Sequence, residues 1–129
     1  MAGNDLKVLL VEDSQLLSDR ILELMSDITG VTPIGAVTTE AAAIRAIDNE
    51  RPQAILLDLH LKEGTGFGVL RHINTMKHRP AVVVITNYAL PQYRRQAETL
   101  GARYFLDKTQ EFELIPETLE ALRKEKLSS

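Results

Sequence analysis

The chain has 129 residues, of which 44% are hydrophobic and 26% charged, the size and balance of one folded domain rather than a disordered, fibrous or membrane chain. Its 15 Lys and Arg against 18 Asp and Glu give a formal charge of −3, which leaves no basic footprint for nucleic acid. Cysteine is absent, so disulfide frameworks, thiol catalysis and thiolate zinc sites are excluded.

The N-terminus, Met1-Ala2-Gly3-Asn4-Asp5, has neither a basic n-region nor an apolar h-region. No apolar run approaches the ~18 residues that span a bilayer. A cytoplasmic protein without membrane association is expected. Five short apolar runs follow, at 6–11, 31–37, 54–57, 81–85 and 104–106, and their β-branched residues and lengths predict strands. After the first, Leu17, Ile21, Leu24 and Ile28 recur at helical spacing, with Ser14 placed to cap the helix start. Thr38-Thr39 offers a cap to the second helix, which carries Ile44 and Ile47. Phe67, Leu70 and Ile73 form a third stripe, Tyr93, Ala97 and Leu100 a fourth, and Leu119 and Leu122 a fifth, where Pro116 fits the first helical turn. Gly30, Gly64, Pro91 and Gly101 fall where the periodicity changes. The fifth helix is expected to stop before a tail that starts at Lys124.

The order is β-α five times. Runs such as Val82-Val83-Val84-Ile85 are apolar on both faces, as strands of a parallel sheet covered by helices are. A three-layer α/β sandwich is predicted. In such sheets ligands collect at the carboxyl ends of the strands, and four of the five runs end in polar residues: Glu12-Asp13, Asp58, Thr86 and, after a short interval, Asp107-Lys108. Spacings of 45, 28 and 22 residues separate Asp13, Asp58, Thr86 and Lys108. A lone Asp at such a place is ordinarily a cap or a solvated loop residue; it is the joint arrangement that carries meaning.

Clustered carboxylates repel unless some protonate or a cation joins them. Oxygen-only ligands in a small open site suit Mg2+, which keeps several waters and completes its shell with phosphate oxygens. An aspartate can act as nucleophile toward phosphorus and form an acyl phosphate. Lys108 would add positive charge, and Thr86 a hydroxyl able to donate to a phosphoryl oxygen.

At these residues the chain resembles the receiver domain of bacterial two-component response regulators. The fragments that carry the likeness are Val8-Leu9-Leu10-Val11-Glu12-Asp13-Ser14, Leu56-Leu57-Asp58-Leu59 with Gly64-Thr65-Gly66, Val84-Ile85-Thr86, and Gly101-Ala102-Arg103-Tyr104-Phe105-Leu106-Asp107-Lys108. The resemblance implies a flavodoxin-like (βα)5 fold with strand order 2-1-3-4-5, and residues 1–129 as a single, stand-alone receiver domain. It implies that Asp58 accepts a phosphoryl group from a histidine kinase, a phosphotransfer protein or a small phosphodonor. Mg2+ would be held by Glu12, Asp13, Asp58 and the main-chain carbonyl of His60. Lys108 and Thr86 would contact the phosphoryl group, and Thr86 and Phe105 would act as the switch pair. Their shifts would remodel the face of the fourth helix, fifth strand and fifth helix, through which a downstream protein or a second copy of the chain would bind. No enzymatic activity is implied beyond self-phosphorylation and autodephosphorylation.

Three positions depart from the family pattern. Thr109 follows Lys108 where the family has proline in a cis peptide bond, and a non-proline cis bond costs ~2.5–4 kcal/mol, so a different loop geometry is expected. Lys62 replaces a proline, and Asn87 replaces the usual Ala or Gly after the switch hydroxyl. Asn87, with His60 and Tyr88, is expected to tune the lifetime of the aspartyl phosphate. Phe105 also fits a plain core position, His60 a peripheral one, and Arg94-Arg95 a solvated helix face.

Other classes fit less well. Haloacid dehalogenase-like phosphatases place D-x-D after the first strand, where this chain has Glu12-Asp13-Ser14. The D-x-H-x-x-G pattern of cobalamin-binding domains fails at Glu63. A flavodoxin-type FMN site would set a phosphate against Glu12-Asp13. The serious rival is a degenerate receiver that serves as a phosphorylation-independent interaction module.

Overall fold

A computed structural model describes residues 5–128; Met1–Asn4 and Ser129, which the single-domain expectation included, lie outside the described residues. The elements run β1 (Leu6–Val11), α1 (Gln15–Ser26), β2 (Val31–Val37), α2 (Glu40–Glu50), β3 (Ala54–Asp58), α3 (Gly66–Ile73), β4 (Ala81–Thr86), α4 (Pro91–Thr99), β5 (Tyr104–Asp107) and, after a single 3-10 turn at Phe112–Leu114, α5 (Ile115–Ser128). All five strands pair in parallel in the order β2-β1-β3-β4-β5. The chain has the flavodoxin-like order that the resemblance implied.

Alternation along each central strand feeds two cores. Val8 and Leu10 of β1 and Val83 and Ile85 of β4 pack against Ile21 and Met25 of α1 and Ile115, Leu119 and Leu122 of α5. Leu9 and Val11, with Val82 and Val84, pack on the other face against Ala43 and Ile47 of α2, Val69, Leu70 and Ile73 of α3, and Ala97 of α4. β3 and β4 are covered on both faces and are apolar up to their last residue, as buried parallel strands are, which is why their runs showed no half-exposed alternation.

Differences from the sequence expectation are local. β3, β4 and β5 each extend one residue further, so Asp58, Thr86 and Asp107 close their strands instead of following them. In α1 Ile21 is fully buried as expected, but Met25 is buried with it where Leu24 is only half-buried, and the helix ends at Ser26, before Ile28. Ser14 caps α1 by accepting from Leu17 N–H at 3.3 Å. Thr39, not Thr38, caps α2 by accepting from Ala42 N–H at 3.1 Å. Pro91 opens α4 at its first turn, where a proline loses no intrahelical bond. α5 runs on to Ser128, so the expected tail after residue 123 is helical. No described helix is long and apolar enough to cross a membrane.

Gly66 fixes how closely α3 approaches β3. A Cβ there would fall on the Asp58 carbonyl oxygen and within 2.9 Å of Leu59 Cα, atoms of backbone that cannot step aside. Gly66→Ala should therefore cost ~1–3 kcal/mol, read as a lower urea midpoint. Gly35→Ala, whose methyl would meet Leu9 Cδ1 at 3.7 Å, should leave the midpoint unchanged or raised.

Candidate functional site

The reversal of strand order between β1 and β3 brings the end of β1 beside the end of β3, with Val11 paired to Leu57. Glu12 and Asp13 thereby meet Asp58, and one carboxylate oxygen of each lies within 4.8 Å of the others. Glu12 is fully buried and Asp58 is 3% exposed, while Asp13 faces solvent. β4 and β5 are in register Thr86 to Asp107, which sets Lys108 on the far side of the same cleft, its N–H donating to the Thr86 carbonyl at 2.9 Å.

From there the Lys108 ammonium reaches inward. Its Nζ donates to Asp58 Oδ2 at 2.9 Å and lies 2.6 Å from Glu12 Oε1. The second contact is an ion pair out of hydrogen-bond alignment, so Glu12 Oε1 is buried with no aligned donor. The other oxygen, Oε2, accepts from Ser14 N–H at 3.0 Å, a role for Ser14 beyond its helix cap. Asp58 Oδ1 accepts from His60 N–H at 3.2 Å.

Burial is the chief reason the Glu12 carboxyl is pushed up to about 6; the Lys108 and Ser14 contacts pull it back, and Asp58 pushes it further up. Burial alone would lower the Lys108 ammonium, yet its contacts with Glu12 and Asp58 outweigh this and hold it above its ordinary value. Three carboxylates against one ammonium leave a negative cleft. Oxygen-only donors, one of them buried without an aligned partner, fit a hard divalent cation.

The cleft has a volume of about 340 Å³, and His60, Asn87 and Tyr88 line it with the acidic residues and Lys108. The His60 and Tyr88 rings meet edge to face at a centroid distance of 4.5 Å, forming a wall beside Asp58. Thr86 and Phe105 do not line the cleft. The Thr86 hydroxyl is buried and accepts from Tyr88 N–H at 3.0 Å. The Phe105 ring is in the core beside α4, with the Arg94 guanidinium 4.7 Å from its centroid; Arg94 is thus engaged with a ring rather than merely solvated. A larger cleft of about 590 Å³, between Arg51 and Arg79 near the amino ends of β3 and β4, holds no carboxylate cluster.

Lys108–Thr109 is trans, as are the other described peptide bonds. Asp107 shapes this loop instead of a proline: its Oδ1 accepts from Thr109 N–H at 2.8 Å and Oγ1 at 2.6 Å, and its carbonyl accepts from Glu111 N–H at 2.7 Å. The Thr109 hydroxyl, and after it the Thr109 N–H, hold the Asp107 carboxyl below its ordinary value.

Residues 8–120 match the family model of the response regulator receiver domain. The chain belongs to this family. The sensory transduction protein LytT of Bacillus cereus is 32% identical over 95% of this receiver and 49% of its own length, and the receiver spans about half the length of the curated LytT relatives it matches. The response regulatory domain of protein mrkE from Klebsiella pneumoniae superposes with a TM-score of 0.85 at 22% identity, covering 95% of this receiver and 99% of that domain. A Mn(2+)-bound form of response regulator Rcp1 superposes at 0.74 with 25% identity, over 90% of each chain.

One further residue of this receiver holds the loop after β3 from outside the cleft and was not singled out in the sequence: Glu40, whose carboxylate accepts from Thr65 N–H at 2.9 Å. Its signal was the alternation Gly64-Thr65-Gly66-Phe67-Gly68, in which Gly64 and Gly68 leave room for that side chain.

Glu12 also makes metal-free stability depend on pH. A folded value of about 6 against an ordinary 4.5 means the native state binds this proton more tightly. The contribution of Glu12 to stability is therefore fully present below about pH 4.5 and lost as pH rises through about 6. In Mg2+-free buffer the wild-type Tm should lose this increment between those values, and Glu12→Gln, which stays neutral, should not show the loss.

Proposed function

We propose that this receiver is a phosphorylation switch in which Asp58 accepts a phosphoryl group from a sensor histidine kinase, a phosphotransfer protein or a small phosphodonor. The observation that carries this reading is the Asp58 carboxylate, set at a strand end within 2.9 Å of the Lys108 ammonium and beside two further carboxylates. An Asp58 oxygen attacks phosphorus, an acyl phosphate forms, and the P–N bond of a phosphohistidine breaks with the imidazole as leaving group. Glu12, Asp13, Asp58 and the His60 carbonyl would hold Mg2+, which supplies charge neutralisation to the transferring group. That the similar response regulator Rcp1 has a Mn(2+)-bound form supports a divalent ion here.

Lys108 needs little movement to follow the charge from the carboxylate to the new phosphoryl oxygens. Thr86 Oγ1 accepts from Tyr88 N–H and keeps its own O–H to donate, so it can turn toward the phosphoryl group. Phe105 would follow into the space Thr86 vacates, leaving the Arg94 guanidinium that covers its ring. The output is then a changed surface across α4, β5 and α5, read by a downstream protein or by a second copy of the chain. This is a two-state equilibrium biased by a covalent anion. The chemistry of this receiver domain is self-phosphorylation and autodephosphorylation, in the cytoplasm.

Incubation with acetyl phosphate should give a Mg2+-dependent phosphoryl adduct by intact mass, absent in Asp58→Asn and Asp58→Ala. Mg2+ at 100 times its Kd should stabilise the fold by ~2.7 kcal/mol, an increment lost in Asp13→Asn. No adduct from acetyl phosphate or from a panel of phosphorylated histidine kinases would turn the reading to a phosphorylation-independent interaction module. Asn87 lines the cleft where water must approach the acyl phosphate. Asn87→Ala should speed dephosphorylation, and an unchanged rate would remove Asn87 from the tuning set.

A further inference from the structure

The segment that follows Asp58 is anchored in the core by Leu59 and, partly, Leu61. His60, Lys62, Glu63, Gly64 and Thr65 are all exposed, so packing does little to fix those positions. A clamp from the start of α2 holds them. Lys62 N–H donates to the Thr38 carbonyl at 3.2 Å and Glu40 N–H to the Glu63 carbonyl at 3.0 Å, with Thr39 and Glu63 forming an isolated parallel bridge. The Glu40 carboxylate then completes the clamp by accepting from Thr65 N–H at 2.9 Å.

The glycines of this stretch are spaced to admit that carboxylate. A Cβ at Gly64 or at Gly68 would fall on the Glu40 side chain, and Gly64 adopts φ +83 besides. The acceptor is a carboxylate oxygen, the kind that makes charge-assisted bonds, and it sits at the amino end of α3, where a negative charge meets the positive end of the helix dipole.

From Thr65 the tie continues to the reacting centre. Thr65 and His60 form an antiparallel bridge, Gly66 N–H donates to the Leu59 carbonyl at 3.0 Å, and His60 N–H holds Asp58 Oδ1 at 3.2 Å. Glu40 is therefore joined to the Asp58 carboxylate through Thr65 and His60, across an exposed loop.

We infer that Glu40 is a positioning residue for Asp58, setting through Thr65 and His60 the rotation of the Asp58 carboxylate and the placement of the His60 carbonyl. The inference rests on the reading of Asp58 as phosphoacceptor and adds to it an element outside the acidic cleft, the amino end of α2.

The test compares Glu40→Ala, Glu40→Gln and Ile47→Val with the wild type, well below each Tm. Ile47 is buried on the same helix, so its variant lowers stability without touching the clamp. Three quantities are read: the rate of phosphorylation by acetyl phosphate at saturating Mg2+, the Mg2+ Kd by calorimetry, and hydrogen exchange of the His60 amide by NMR. Glu40→Ala should slow phosphorylation and weaken Mg2+ by ~10-fold each, the scale of losses when groups that orient metal ligands are removed, and should speed His60 exchange. Glu40→Gln, whose amide oxygen still accepts from Thr65 N–H, should stay within ~3-fold of wild type. Ile47→Val should leave all three unchanged while lowering Tm. The inference is overturned if Glu40→Ala keeps wild-type values, if its losses match those of Ile47→Val at equal Tm, or if Glu40→Gln falls as far as Glu40→Ala. A wild-type chain that takes no phosphate refutes the phosphoacceptor reading instead, and the exchange of His60 still decides the role of Glu40.

Discussion

One buried ammonium makes the rest of the cleft tenable. Lys108 Nζ, on a side chain only 6% exposed, lies within 2.9 Å of carboxylates that end two different strands. Without it, Glu12 and Asp58 would be two desolvated like charges at the centre of the sheet, an arrangement that pushes one of them to hold a proton. With it, each keeps an opposite charge at contact distance, although the contact to Glu12 Oε1 is out of hydrogen-bond alignment. Breaking such a buried pair by removing one member ordinarily costs ~3–5 kcal/mol.

Topology is what gathers these groups. Because β1 lies inside the sheet, between β2 and β3, the chain leaves β1 in one direction for α1 and β2 and returns on the other side for β3. The loops after β1 and β3 therefore part company and leave an opening between them. The apolar strands beneath contribute no chemistry, yet their burial on both faces fixes strand ends to a single register. β5 carries Lys108 over the opening from the edge of the sheet, and Asp107, gripping Thr109 and Glu111, holds the turn that aims it.

Most of this could be read from the residues. Five apolar runs with helical stripes between them gave the layers, and polar strand ends gave Glu12, Asp13, Asp58, Thr86 and Lys108 as a set; the strand order came by family resemblance, since periodicity carries no information on which strands are neighbours. Errors fell where local pattern meets tertiary packing. Leu24 and Met25 are adjacent and equally apolar, and only the angle at which α1 lies on the sheet decides which is buried. The α5 terminus carried no proline or glycine to mark it, and its polar last turns hid its length. Glu40 was invisible because an exposed-looking glutamate at a helix start is the ordinary case; its meaning lies in two glycines more than twenty residues away. Thr109 in place of the family's proline was expected to alter the loop after Lys108; the bond is trans, and the Asp107 side chain shapes that loop through hydrogen bonds.

At the sheet margins, Pro33 pairs with Val8 and has no N–H to offer, and the register slips between Val8 and Leu9, so that Ile34 bulges out of the ladder. At the opposite margin β5 is only four residues long. An interrupted strand on one side and a very short one on the other give an incoming extended chain few consecutive backbone partners, which is how native sheets avoid edge-to-edge polymerisation. Assembly by strand addition is thereby discouraged at both ends, which leaves the helices and loops as the surfaces open to contact.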